Sequence, residues 1–232
     1  MIGYEELGHV LTQEHVEEAI IPALETFKQL TKEFGPFEYV TEARVKYQDL
    51  DAFGTVDILG SNAEYTFVID WKFGAGVAVS AVGNSQLRFY AGAGRETSEF
   101  SDMFSRDRKI VLVIIQPRTR DGEPYSYEVV DHDELNEFVV RMKAAVHVVI
   151  NGETSLNPGQ WCRWCKAGPV CNVKKSMAEE LISRDIKKPL IDADELGRLV
   201  GLANQMTDWA KNVRRFANEE LRRGHSVTGY KL

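Results

Sequence analysis

The 232-residue chain is poor in cysteine, with three residues in all and none before Cys162. That scarcity argues against a disulfide framework and for a reducing compartment. Long apolar runs are missing too. The longest, Ile110 to Ile115, falls far short of the ~20 residues a membrane-spanning helix needs and fits a buried strand instead. No basic flank followed by an apolar stretch opens the chain, so no secretory signal is expected, and a cytoplasmic, soluble protein follows. Positive charge is also short: the formal net charge is −7. This argues against wholesale, charge-driven nucleic-acid binding, which usually shows as a basic domain, but leaves room for a local groove. Neither an internal repeat nor a low-complexity segment is present.

What the chain does contain is an ordinary globular balance, 44% hydrophobic and 27% charged, enough for a packed core. Its length suits one elaborated domain or a domain with one appendage. Basic residues cluster at Arg106-Asp107-Arg108-Lys109, at Lys187-Lys188, and at Arg214-Arg215 with Arg222-Arg223. Each cluster reads either as a solvated surface or as one wall of a groove.

Hydrophobic periodicity predicts a helix from Gln13 to Phe34, capped by Thr12 and ended by Gly35-Pro36. Strands are predicted at Tyr39–Tyr47, Phe53–Leu59 and Tyr65–Trp71, the first two joined as a hairpin by the polar stretch Gln48–Asp51. Phe73–Gly83 reads as a loop, after which Asn84 or Ser85 caps a helix carrying Gln86 to about Ala93. Two more strands follow, Lys109–Gln116 and Tyr125–Val130, with a turn at Asp121-Gly122. Asp131 with Glu134 has capping-box spacing and opens a helix to about Ile150. A short helix is expected from about Asn172 to Ser183, then a break at Pro189. Asp192 and Glu195 repeat the capping spacing at the head of the longest helix, which reaches about Arg223. The expected class is α/β, a central mixed β-sheet flanked by helices with a long C-terminal helix. Residues 1–184 form the expected core, including a cysteine-containing loop at 161–172. Residues 185–232 form a helical extension that packs on the core, on a second copy or on another protein.

The chemistry concentrates in one stretch. In a strand, residues two apart share a face, so Asp70 and Lys72 point together while Trp71 points away. A hairpin turn near Asn62-Ala63 brings Asp57 toward residues 68–70 on the neighbouring strand. Two carboxylates close in space repel each other, and a divalent cation removes that cost. Asp57 and Asp70, with the backbone carbonyl of Trp71, make an oxygen donor set for one such ion, and Lys72 stands ready to orient a water or balance charge on a phosphate. The simpler reading is a structural ion pair between Asp70 and Lys72. Against it, charged residues directly after the apolar run Phe67-Val68-Ile69 need a reason. Gln86 and Tyr90, four residues apart, share one helix face, either as plain amphipathicity or as a polar pair serving the site. Glu42, in the first strand, is the last candidate near the metal side.

Together, Glu42, Gly54-Thr55-Val56-Asp57, Asp70-Trp71-Lys72 and Gln86-Leu87-Arg88-Phe89-Tyr90 resemble the RecB-like branch of the PD-(D/E)XK nuclease superfamily. The likeness extends to a phage- and prophage-encoded group through Lys72-Phe73-Gly74-Ala75-Gly76, Asn84-Ser85-Gln86-Leu87 and the terminal Gly229-Tyr230-Lys231-Leu232. The resemblance implies a restriction-endonuclease-like core and Mg²⁺- or Mn²⁺-dependent hydrolysis of DNA, often from an end. It implies Asp57 and Asp70 as metal ligands and Lys72 as the active lysine, with Gln86 and Tyr90 on the branch's Gln-x-x-x-Tyr motif. A catalytically incomplete nuclease fold, serving as a DNA-binding or protein-interaction subunit, is the alternative. Relatives carry an early helical segment with a cysteine and a histidine or glutamate. No cysteine precedes Cys162 here, and His9 and His15 stand in a different context, so the resemblance implies a chain that starts after that segment.

Cys162, Cys165 and Cys171 occur as C-x-x-C-x-x-x-x-x-C. With a third thiol beside a C-x-x-C, metal is the expectation over disulfide, and zinc suits the spacing if a fourth ligand completes it. The resemblance implies an iron–sulfur cluster instead, held by a late cysteine trio and one early cysteine. Three reduced thiols in a loop beside Trp161 and Trp164 are the remaining reading.

Overall fold

A buried, β-branched central strand organises the first half of the molecule. The computed structural model describes residues 5–6, 9–74, 77–119, 123–152, 155–159, 161–162, 165–183 and 193–232. Chain contacts divide it into two compact units, Met1–Asn151 and Gly152–Leu232. The cysteine segment therefore falls in the second unit, whereas the boundary expected at 184/185 lies outside the described residues. So do the Asp121-Gly122 turn, the Pro189 break, the Asp192 cap, Ala75-Gly76 and Trp164.

In the first unit a two-residue ladder pairs β1 (Glu5–Glu6) with β2 (His9–Val10). The main sheet holds β3 (Glu38–Lys46), β4 (Phe53–Ser61), β5 (Tyr65–Trp71), β6 (Lys109–Ile115) and β7 (Tyr125–Val130), in that spatial order. It is mixed: β5 and β6 run parallel and every other neighbouring pair antiparallel. The parallel pair needs a crossover, and α3 (Ser85–Glu96) provides it.

Both faces of the sheet are covered, which is why β5 and β6 carry no polar alternation over most of their length. On one face lie Phe67, Ile69, Val111, Val113 and Ile115, packed with Ala23 and Leu30 of α2 (Ile21–Phe34). On the other lie Val68, Ile110, Leu112 and Ile114. They pack with Leu87 and Ala91 of α3 and with Leu135 and Val139 of α4 (His132–Ile150).

The helix expected over 13–34 is present as α1 (Gln13–His15), a π-helical turn at Val16–Ile20, and α2. Pro22 has no N–H to give a carbonyl four residues back. The turn before it is widened, with the Ile21 N–H bonded to Val16 O. Thr12 and Asp131 cap their helices as the spacing predicts, and Asn84 rather than Ser85 caps α3, accepting from the N–H groups of Gln86 and Leu87.

The second unit contains α5 (Asn172–Ser183) and α6 (Ala193–Arg222), preceded by a 3₁₀ turn at Gly168–Val170. Among the described residues no helix is long and apolar enough to cross a membrane.

Candidate active site

Four elements of the first unit meet at the carboxyl end of β5, the place where open α/β sheets receive ligands. The register Ile58↔Ile69 continued by one residue sets Asp57 opposite Asp70. The ladder stops there because the Asp57 side chain takes over: its Oδ2 accepts the Trp71 N–H at 2.6 Å. On the other side of β5, the Lys72 N–H donates to Ile115 O at 2.8 Å. Across a trans peptide the carbonyl and the N–H point oppositely. The Trp71 carbonyl therefore points away from β6, toward the strand that carries Asp57.

Asp70 is the buried member, 4% exposed. Its Oδ1 accepts from Gln86 Nε2 at 3.0 Å. Its Oδ2 forms an ion pair with Lys72 Nζ at 2.7 Å. Burial pushes the Asp70 carboxyl above the ordinary carboxylate range, the Lys72 ammonium opposes this, and the neighbouring Asp57 charge adds to the rise. Gln86 is the hub on α3. Besides binding Asp70, its Nε2 donates to Tyr90 Oη at 3.0 Å, and its Oε1 accepts from Lys72 Nζ at 3.2 Å. The four-residue spacing of Gln86 and Tyr90 thus does more than make a helix amphipathic: it clasps the lysine and the buried acid from above.

Glu42 is placed differently. It stands opposite Asp57 in the β3–β4 register, yet this pair is skipped in a ladder that is continuous on both sides. Its side chain is exposed and its φ is +51°, the left-handed region that a non-glycine residue seldom adopts. The interruption reverses which face each strand presents. Ala43, Val45 and Val56 face the α3 side, whereas Tyr39 packs on Phe27 of α2, and Ile58, two residues after Val56, joins the α2 side. Since alternate residues of a regular strand share a face, both strands turn over at Glu42 and Asp57. Asp57 is thereby freed from the pleat to reach across to Trp71.

The loop after Lys72 is tethered by residues that motif reading passed over. Gln116, 6% exposed at the end of β6, accepts from Val79 N at 2.8 Å and donates to Val77 O at 3.1 Å and to Gly74 O at 3.4 Å. Ser126 accepts from Ala81 N at 2.8 Å, and Glu128 binds both Gly83 N and Arg88. The available signal was a polar residue closing the apolar run Ile110 to Ile115, the same logic that singled out Asp70.

As a donor set, Asp57, Asp70 and the Trp71 carbonyl are all hard oxygens, which suits Mg²⁺ or Mn²⁺. The Asp70 carboxylate keeps lone pairs beyond those bound to Lys72 and Gln86, which suits a further cation. Glu42 adds no third carboxylate, for among the described residues no three His, Cys, Asp or Glu side chains are grouped to hold a metal. The same holds for the thiols. Cys162, Cys165 and Cys171 are all unbridged, on successive turns in which Cys165 N–H bonds Cys162 O and Cys171 N–H bonds Gly168 O. Among the described residues the three thiols are not grouped around one point.

Fold and site together define an α/β protein with a paired-carboxylate and lysine constellation at the end of its central strand. The chain belongs to the DUF2800 family, described as proteins of unknown function, whose model matches residues 9–232.

Proposed function

We propose that this protein is a divalent-metal-dependent DNA nuclease of the RecB-like PD-(D/E)XK type, acting from DNA ends. One observation carries the reading: a buried Asp70 held between Lys72 and Gln86, with Asp57 anchored one residue further on through the Trp71 N–H. A fold with no catalytic task has little reason to bury a carboxylate that raises its own pKa against a neighbouring acid.

Asp57, Asp70 and the Trp71 carbonyl would hold the Mg²⁺ or Mn²⁺. The ion supplies Lewis acidity toward the phosphoryl oxygen and acidifies water. Lys72, 31% exposed on its side chain, reaches outward from Asp70 and places its ammonium against the non-bridging phosphoryl oxygens, where negative charge grows as the water oxygen bonds to phosphorus and the P–O bond to the leaving group breaks. Gln86 fixes the rotamers of both Asp70 and Lys72, so neither must reorganise when the phosphate arrives. Tyr90, bonded to the same amide, fixes Gln86 in turn.

A second reading has its own observation: no third carboxylate joins Asp57 and Asp70 among the described residues. On that reading the chain is a DNA-binding or protein-interaction subunit with an incomplete metal site. Incubation with linear duplex DNA separates the two. The nuclease shortens DNA only with Mg²⁺ or Mn²⁺, stops with chelator, and loses cutting in Asp70→Ala. Retention of DNA with no cutting in either metal, equal in Asp70→Ala, overturns the enzyme in favour of the subunit.

A further inference from the structure

Phe73 follows Lys72 directly and leaves a phenyl ring 45% exposed just past the carboxyl end of β5. A single exposed phenylalanine needs no explanation by itself. Phe73 differs in three respects. Its ring lies nearly parallel to the indole of Trp71, centroids 6.0 Å apart and planes 12° from one another, an offset stack that shields part of one face. Trp71 is its only ring partner among the described residues, so the exposed area belongs to the rest of the ring. Its backbone is held on both sides. The Lys72 N–H donates to Ile115 O at 2.8 Å, and Gly74 O accepts from Gln116 Nε2 at 3.4 Å. Trp71 is in turn seated on Phe27 of α2, with its N–H fixed by Asp57. The ring is therefore presented in a set position, and a partner that stacks on it loses little conformational entropy of the protein. Its location is the third respect. Asp70 and Lys72 lie on one side of β5 and the Trp71–Phe73 stack on the other, so ammonium and phenyl ring flank one strand end.

We propose that Phe73 is a stacking platform for an unpaired nucleobase of the DNA strand whose phosphate meets Lys72, an inference that rests on the nuclease reading for its substrate. A nucleotide carries phosphate and base on different carbons of one sugar. A strand crossing the end of β5 can therefore set a phosphate at Lys72 and a neighbouring base against Phe73. Charge alone holds such a strand poorly here, because the formal net charge of −7 gives the chain little general attraction for phosphates. Base–aromatic stacking supplies affinity without charge, and it tolerates any sequence because every base has a π-face. A base must leave its own stack to meet the ring, so the platform favours a single strand or a frayed end over paired duplex. Bracing of Trp71 is the other use the ring could have. That role would act on the metal site instead of on DNA, and the two are separable.

The test is fluorescence anisotropy of a labelled single-stranded oligonucleotide with the full chain, in Ca²⁺ so that binding is read without cutting. Phe73→Ala should bind about five- to a hundredfold more weakly, as for loss of one base–aromatic stack. Phe73→Trp keeps the affinity. Phe73→Leu, which keeps apolar cover on Trp71 but has no π-face, loses it, and this variant decides should Phe73→Ala fail to fold by circular dichroism. Walking one abasic site along the strand should find a position where wild type loses affinity and Phe73→Ala loses no more, because both changes remove the same contact. Mn²⁺ uptake by Phe73→Ala stays that of wild type, whereas weakened uptake would assign the ring to bracing Trp71 and overturn the platform. With Mg²⁺ present, Phe73→Ala raises KM and leaves kcat nearly unchanged. A wild type that does not cut, with the abasic result intact, sinks the nuclease reading and leaves the platform standing. Equal affinity of wild type and folded Phe73→Ala or Phe73→Leu, additive losses at every abasic position, or no binding of the strand by wild type overturns the platform, the first two even where cutting continues.

Discussion

Gly54 gives the most quantitative hold on the site. A Cβ at this position would stand 2.5 Å from Tyr90 Cε1 and 3.1 Å from Cδ1. Ordinary contact begins at 3.4 Å, so in Gly54→Ala the ring must retreat by about 0.9 Å. Tyr90 Oη is 3.0 Å from Gln86 Nε2, and a retreat of that size breaks the bond. Gln86 then loses one of the contacts that set its amide against Asp70 and Lys72. Tyr90 is only partly buried, so the steric cost sits at the lower end of the overpacking range, about 1–2 kcal/mol. For a chain of this length that lowers the melting temperature by about 2–8 °C. Thermal denaturation followed by circular dichroism reads the stability, and the metal-dependent cleavage rate reads the function, expected to fall about tenfold or more for a misplaced catalytic group. The cause is isolated by repeating Gly54→Ala in a Tyr90→Ala background, where the stability penalty should vanish. An unchanged penalty there would show that the tyrosine ring is not what the new methyl meets, and the reasoning from Gly54 to the site fails.

Two further outcomes follow from the same geometry. Because burial holds the folded Asp70 carboxyl above its unfolded value, the native chain binds that proton more tightly, and the ionised form is the costly one. Metal-free Asp70→Asn should therefore be more stable than wild type at pH 7, with the advantage shrinking as pH falls through the raised folded value toward the unfolded one. Urea melts at several pH values measure this, and a wild type that is the more stable at neutral pH contradicts it. Gln116→Leu removes the amide that binds Val79 N, Val77 O and Gly74 O, so limited proteolysis should cut within 74–83 many times faster while the thermal midpoint moves by no more than about 2 kcal/mol's worth. Unchanged protection of that loop would show that Gln116 does not hold it.

Much of this architecture is readable from local pattern because local physics decides it. Tyr65–Trp71 and Tyr125–Val130 match the predicted strands end to end, and β6 departs only at Gln116, whose N–H still bonds Pro124 O while its side chain holds the loop. The Thr12 cap and the Asp131–Glu134 capping box rest on local residue type and spacing and are present. The pairing of Asp70 with Lys72, and of Gln86 with Tyr90, follows from the strand and helix periods. What the sequence does not disclose is the reversal at Glu42 and Asp57. Alternation in β3 and β4 breaks there through a backbone turn into positive φ, which glutamate does not advertise. That reversal, and not proximity alone, lets Asp57 cap the end of the β4–β5 ladder. The loop tethers at Gln116, Ser126 and Glu128 are likewise long-range pairings that no periodicity encodes.

The central claim is that Asp57 and Asp70 share one divalent ion beside Lys72. Manganese binding followed by electron paramagnetic resonance tests it without reference to any substrate. Wild type should take up one Mn²⁺ per chain at this site, and Asp57→Asn and Asp70→Asn should each abolish it while Cys162→Ser leaves it intact. Equal Mn²⁺ uptake by wild type and both aspartate variants, with all three folded, would contradict the account.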